Sequence, residues 1–241
     1  MKNFKNLAKT FSVFGIFLII LFGFSACNIR FRNTDNSDEY IVADEDFLKP
    51  AELVAASDSA GIGVSDFEIE ALYKMREEEK LAFDVYSFLG EKWNLQIFKN
   101  IAKSELTHTD SVKYLIDLYG LQDPVKQFKE GIYTSEDFKI LYEQLTEKGS
   151  SSLLDALIVG ATVEDLDIYD LDELLAKVEN ANVYNVFQNL RRGSTNHLRA
   201  FVSQISRNGG EYIPQYISQS EYEEILSQSQ SRGPGNGNGR K

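Results

Sequence analysis

Glu105 and His108 stand three residues apart in Ile101-Ala102-Lys103-Ser104-Glu105-Leu106-Thr107-His108. On a helix this spacing puts a carboxylate and an imidazole on one face. That face is the apolar one. The stripe reads Phe98, Ile101, Glu105, His108, Val112, Leu115, Tyr119, so both polar groups occupy core positions. A buried acid is costly unless its charge is compensated, and a metal ion compensates it.

The chain has only two histidines, and the second repeats the pattern. His197 falls on the stripe Val183, Val186, Leu190, Ser194, His197, Phe201. Two other segments carry an acid on an apolar stripe. One reads Leu72, Met75, Glu79, Ala82, Tyr86, Leu89, and the other Leu153, Leu157, Gly160, Glu164, Ile168. Four predicted helices thus each turn a potential metal ligand inward.

Helix signals delimit the elements that must position these groups. The first long helix starts after Ser65-Asp66, with Glu68 completing a capping box, and runs to about Leu89. A break over 90–94 precedes a second helix from about Leu95 to Tyr119, which Gly120-Leu121-Gln122-Asp123-Pro124 stops. The connection from Pro124 to Ser150 contains an amphipathic helix from Ser135 to Glu147. A connection of this length lets two long helices run parallel. A third long helix runs from Ser151 or Ser152 to about Ile168, with a separate helical piece from Tyr169. A fourth runs from Ala181 to Ser206, and Ser220 to Ser227 forms a short last helix. No strand pattern is present. The expected fold class is all-α, with a domain at 66–228.

The ends read differently. Lys2, Lys5 and Lys9 precede an apolar run from Phe11 to Phe24, followed by Ser25-Ala26-Cys27. The run is short for a span of roughly 20 residues. Residues 1–27 have the layout of a lipoprotein signal peptide, cleaved before a lipidated Cys27. Phe24 stands where such signals usually have Leu. Residues 28–65 read as a flexible tether, and 229–241 as a disordered Gly-rich tail. Cys27 is the only cysteine, so no disulfide forms within the chain. The net charge of −12 argues against a nucleic-acid partner and favours attraction of cations.

A di-iron carboxylate bundle takes a lone Glu from each of two helices and Glu-x-x-His from each of the other two. Glu79 and Glu164 fit as the lone acids, Glu105 and His108 as the complete pair, and His197 as the imidazole of the fourth helix. Ser194 stands where the pattern has its last Glu. Asp167, three residues after Glu164, is a substitute for it, whereas Asp165 and Glu78 are less well placed. Glu105 is the best candidate to bridge two metals. Carboxylate with imidazole suits iron, manganese or zinc. Tyr86, two turns beyond Glu79, is a nearby hydrogen-bond donor or redox-active phenol. The blander readings are specific too. Arg76-Glu77-Glu78-Glu79-Lys80 is a charge run, and such runs are usually solvated. Arg76, Arg191, Arg192 or Arg199 could neutralise the acids without metal.

Met75 to Tyr86, Asn100 to His108, Glu164 to Ile168 and Arg192 to Phe201 resemble, in order, segments of a bacterial ferritin-like family of unknown function. The resemblance covers about 68–227. It implies a ferritin-like four-helix bundle with a helical crossover, a short C-terminal extension and a di-metal site. No rubredoxin-type centre accompanies it, because Cys27 is alone, so any electrons must come from another protein or a small molecule. The expectation is a lipid-anchored envelope protein, periplasmic or on the outer surface. It would bind one or two transition metals, iron foremost, and act as a ferroxidase or peroxide reductase, with a homodimer allowed. The alternative is a non-catalytic envelope protein with a structural metal site or a scaffold role.

Overall fold

The computed structural model describes residues 63–228. The expected signal peptide, Cys27, nearly all of the expected tether and the C-terminal tail lie outside them. The described residues form six helices and no strand: α1 (Asp66–Trp93), α2 (Gln96–Leu118), α3 (Glu136–Gly149), α4 (Leu153–Leu175), α5 (Ala181–Arg207) and α6 (Gln219–Ser227). The fold is all-α. None of these helices is long and apolar enough to cross a membrane.

Local chemistry sets the ends. Ser65 caps α1 in a capping box with Glu68. Asn94, in the left-handed region at φ 48°, turns the chain so that α2 folds back along α1. Ser152 and Asn180 accept hydrogen bonds from the first turns of α4 and α5. Helix α4 runs unbroken to Leu175, so the separate piece expected from Tyr169 does not exist. Nothing between Ile168 and Leu175 removes a backbone donor or requires a positive φ, and the acids there are compatible with a helix interior.

Helix α1 packs along α2, and α4 along α5. Contacts of α2 with α5 and of α1 with α4 close the ring, and α3 lies against α1 and α4. The interior is layered. Leu72, Met75, Val112, Leu115, Leu171, Val186 and Leu190 belong to an apolar cluster at one end. Tyr86, Phe98 and Phe201 form an aromatic triangle toward the other, with ring centroids 5.3–6.2 Å apart. Gly160 makes the triangle possible, because a Cβ there would lie 2.4 Å from Phe201 Cε1. The polar residues of the four stripes lie in sequence between these two layers.

The charge run on α1 is not solvated. Arg76, Glu77, Glu78, Glu79 and Lys80 are all buried. The connection between α2 and α3 covers most of them. Arg76 forks onto Asp123 and donates to Thr109 O at 3.0 Å. Lys80 Nζ donates to Asp84 at 2.5 Å and to Lys129 O at 2.9 Å. Asp84 also accepts from Gly131 N and from Tyr133 OH. Glu77 accepts from the backbone of Thr134 and Ser135, capping α3 from outside. Only Glu79 of the five belongs to the inner layer.

Candidate metal centre

Each inner polar residue is placed by one helix: Glu79 by α1, Glu105 and His108 by α2, Glu164 and Asp167 by α4, Ser194 and His197 by α5. All are buried, the two imidazoles completely. Glu105 lies at the centre. Its Oε2 is 2.7 Å from His108 Nδ1 and its Oε1 is 2.8 Å from His197 Nδ1. The two rings stack at a centroid distance of 5.4 Å. Glu79 Oε2 reaches His108 Nδ1 at 3.3 Å, and Glu164 Oε1 lies 3.6 Å from His197 Nδ1. One atom each from Glu105, His108 and His197 fall within 4.8 Å of one another, a separation one cation can span.

The far edges of the imidazoles are also specified. His197 Nε2 is 3.0 Å from Ser104 Oγ. The Nε2 edge of His108 faces the backbone of α5 at Gly193, where a Cβ would come within 2.6 Å. Both rings therefore turn Nδ1 toward the carboxylates. Tyr86 OH donates to Glu164 Oε1 at 2.6 Å and lies 3.2 Å from Gly160 O. The phenol predicted to lie near Glu79 thus serves Glu164. Ser194 Oγ donates to Asp167 Oδ2.

The electrostatics are those of a crowded, dry acid cluster. Burial acts to raise Glu105, but the two imidazoles beside it outweigh that and hold its carboxyl at about 2. Burial pushes Glu79 up to about 8 despite its contact with His108. Glu164 rises to about 7, through burial and then the charge of Glu105. Asp167 is raised well above its ordinary value by burial, then by Glu79 and Glu164. The basic groups nearby are engaged elsewhere, Lys74 by Glu78 and Asp170. Arg76 is engaged by Asp123, Arg191 by Asp172 and Glu221, and Arg199 by Ile225 O. Glu79 Oε1 and Asp167 Oδ1 are buried without a hydrogen-bond partner. Four acids, two imidazoles and orphaned acceptors form a donor set that a divalent cation would satisfy.

Two acids named with the site lie apart from it. Glu78 joins Lys74, which also pairs with Asp170. Asp165 points away and accepts from Tyr212 OH and from the backbone of Gln215, Tyr216 and Ile217. It fastens the segment before α6. Gly193 went unnoticed in the sequence, although a glycine inside a regular helical pattern signals close packing.

Known proteins carry the same chain pattern. An uncharacterized protein of Methanocaldococcus jannaschii, MJ0754, is 54% identical over 170 residues, covering 70% of this chain and 92% of the relative. The crystal structure of the hypothetical protein MJ0754 is similar at a TM-score of 0.70 and 53% identity, covering 72% of this chain and 99% of that one. Residues 68–229 match the uncharacterized protein domain DUF2202, and the chain belongs to that family.

Proposed function

We propose that this protein is a ferritin-like four-helix metalloprotein that binds one or two transition metal ions, iron foremost, at Glu79, Glu105, His108, Glu164 and His197. The observation that carries the reading is Glu105, each of whose oxygens faces the Nδ1 of a different histidine from a different helix. A carboxylate so placed would serve two cations, one held with Glu79 and His108 and the other with Glu164 and His197. The ring of α1, α2, α5 and α4 with α3 in the crossover supports the ferritin-like reading.

Bound iron would supply one-electron redox chemistry toward oxygen or peroxide. The chain's residues set the conditions. The apolar cluster and the aromatic triangle exclude water on two sides, and Ser104 and Gly193 fix the imidazole orientations. Tyr86 OH holds Glu164 through one oxygen. Burial raises this phenol well above its ordinary value, as do Glu164 and Glu105, so it stays a donor at neutral pH. Manganese or zinc suits the same donors. Electrons for peroxide reduction would come from a separate donor. The basic, apolar leader ending in Cys27 supports export and lipid anchoring at the cell envelope.

The test is the metal content of the full-length protein after anaerobic ferrous loading, beside a Glu105→Ala/His108→Ala variant. Close to two irons per chain, lost in the variant and oxidised rapidly by oxygen or peroxide, support the reading. Bound metal without turnover leaves a structural site. No metal in either protein, with an unchanged circular dichroism spectrum, removes the site and leaves a scaffold. Mass spectrometry of the membrane fraction should show a mature chain beginning at an acylated Cys27; an unacylated Cys27 would refute the anchor.

A further inference from the structure

We infer that the carboxylate missing from α5 is supplied across the interior by Asp167. One cation position is then formed by Glu79, Glu105, His108 and Asp167, and Ser194 is the positioning residue that holds Asp167 for it. The inference rests on the metal reading above and assigns its two halves.

Three helices present inner pairs three residues apart: Glu105 with His108, Glu164 with Asp167, and Ser194 with His197. Against the Glu-x-x-His pattern, α5 carries Ser194 in the position of the acid, and α4 carries a second acid, Asp167. The two meet in space: the buried Ser194 hydroxyl donates to Asp167 Oδ2. The other oxygen, Oδ1, has no hydrogen-bond partner, and neither has Glu79 Oε1 across the interior on α1. Both side chains are more than nine-tenths buried.

A buried acceptor without a donor is rare in folded proteins and costly where it occurs. Two such oxygens on neighbouring helices are satisfied together by a cation. Ser194, which binds Asp167, directly follows Gly193, whose backbone meets His108, and this ties Asp167 to the half containing His108. Lys74, the basic group nearest in charge, is committed to Asp170 and to Glu78 at 3.6 Å. With Oδ2 held by Ser194, Asp167 offers a single oxygen. Ligating carboxylates are commonly fixed by such outer hydrogen bonds.

The other half is then poorer in protein ligands, with Glu105, Glu164 and His197, and its acid is held by Tyr86.

The test loads the full-length protein with Mn(II) and reads ions per chain together with the EPR spectrum, which separates an exchange-coupled pair from a single ion. Wild type should hold a coupled pair. Asp167→Asn, nearly isosteric, should hold one uncoupled ion. Ser194→Ala should weaken the second ion roughly ten- to a hundredfold, the usual effect of losing an outer hydrogen bond to a ligand. The exchange variant Asp167→Ala/Ser194→Glu returns the acid to α5 and should regain the coupled pair, a rescue that a purely structural role would not give. An Asp167→Asn protein that keeps the coupled pair overturns the inference. A wild type holding one uncoupled ion that Asp167→Asn retains also overturns it, while leaving the metal reading standing. A wild type holding no ion removes both.

Discussion

Gly193 lies against the edge of the His108 ring so closely that a Cβ on it would come within 2.5 Å of Cε1. The ring is fully buried and cannot swing away. Gly193→Ala gains about 1 kcal/mol of helix propensity. It forces an overpacking cost of about 1–3 kcal/mol and displaces the imidazole. The second effect should win: ferrous affinity falls at least about tenfold, measurable by anaerobic titration. Unchanged affinity would mean that His108 is not a ligand or that α5 yields.

The Tyr86–Glu164 hydrogen bond separates a supporting phenol from a ligand. Tyr86→Phe should cost about 1 kcal/mol in urea denaturation, the net worth of one buried hydrogen bond. Iron bound at saturation should remain at the wild-type level, with the ion at Glu164 held roughly ten- to a hundredfold more weakly, as for any lost outer hydrogen bond. Loss of one ion even at saturating iron would place the phenolate among the ligands.

Glu68 gives the fold a pH dependence away from the inner acid cluster. Burial acts to raise its carboxyl, but donors from Ser65, Glu179 and Asn180 outweigh this and hold it below the ordinary value. A depressed folded value stabilises the protein above the unfolded carboxyl value of about 4.3, and the contribution fades as pH falls through the folded one. The bonds join the start of α1 to the start of α5, with Asn180 N at 2.6 Å from the carboxylate. Glu68→Gln should lose about 2 kcal/mol at pH 7. Its stability should also change less between pH 5 and pH 3 than that of wild type. Parallel curves for the two proteins would remove Glu68 from the acid response.

The Lys80–Asp84 pair is almost wholly buried, at 0% and 1% exposure. Asp84→Ala leaves an ammonium group without its counter-ion and should cost about 3–5 kcal/mol. Adding Lys80→Met should recover much of that loss. Hydrogen exchange in Asp84→Ala should accelerate first over residues 125–135, whose backbone these two side chains hold. Uniform acceleration throughout the chain would contradict a local clamp.

Metal should stabilise the folded chain by mass action, since the unfolded chain does not assemble four helices around a cation. At a free ion concentration a hundred times the dissociation constant, the gain is about 2.7 kcal/mol. A chelator should reverse it. Equal melting temperatures with and without ferrous iron would count against tight binding.

The inner histidines and acids were legible because helix periodicity exposes a polar residue on an apolar stripe. Asp167 was legible only as a neighbour of Glu164; its bond to Ser194 depends on how α4 meets α5. The run Arg76–Lys80 misleads on sequence alone, since consecutive charges ordinarily point to water. Here residues 123–135 fold over them, a long-range contact that no local window contains. Tyr86 shares a stripe with Glu79 and serves as the expected nearby donor, but to Glu164 on another helix, which same-helix spacing does not show. The stretch from Tyr169 continues the same helix, because nothing in it breaks the backbone pattern.

Within one stretch of α1, Arg76, Glu77 and Lys80 grip the crossover while Glu79 reaches His108 in the interior. Sliding or rolling the helix would strand several buried charges at once. The first acid of the centre is therefore held in register by groups that never touch the centre. Its geometry is set during folding, and an ion arriving there would meet a cradle with little left to reorganise.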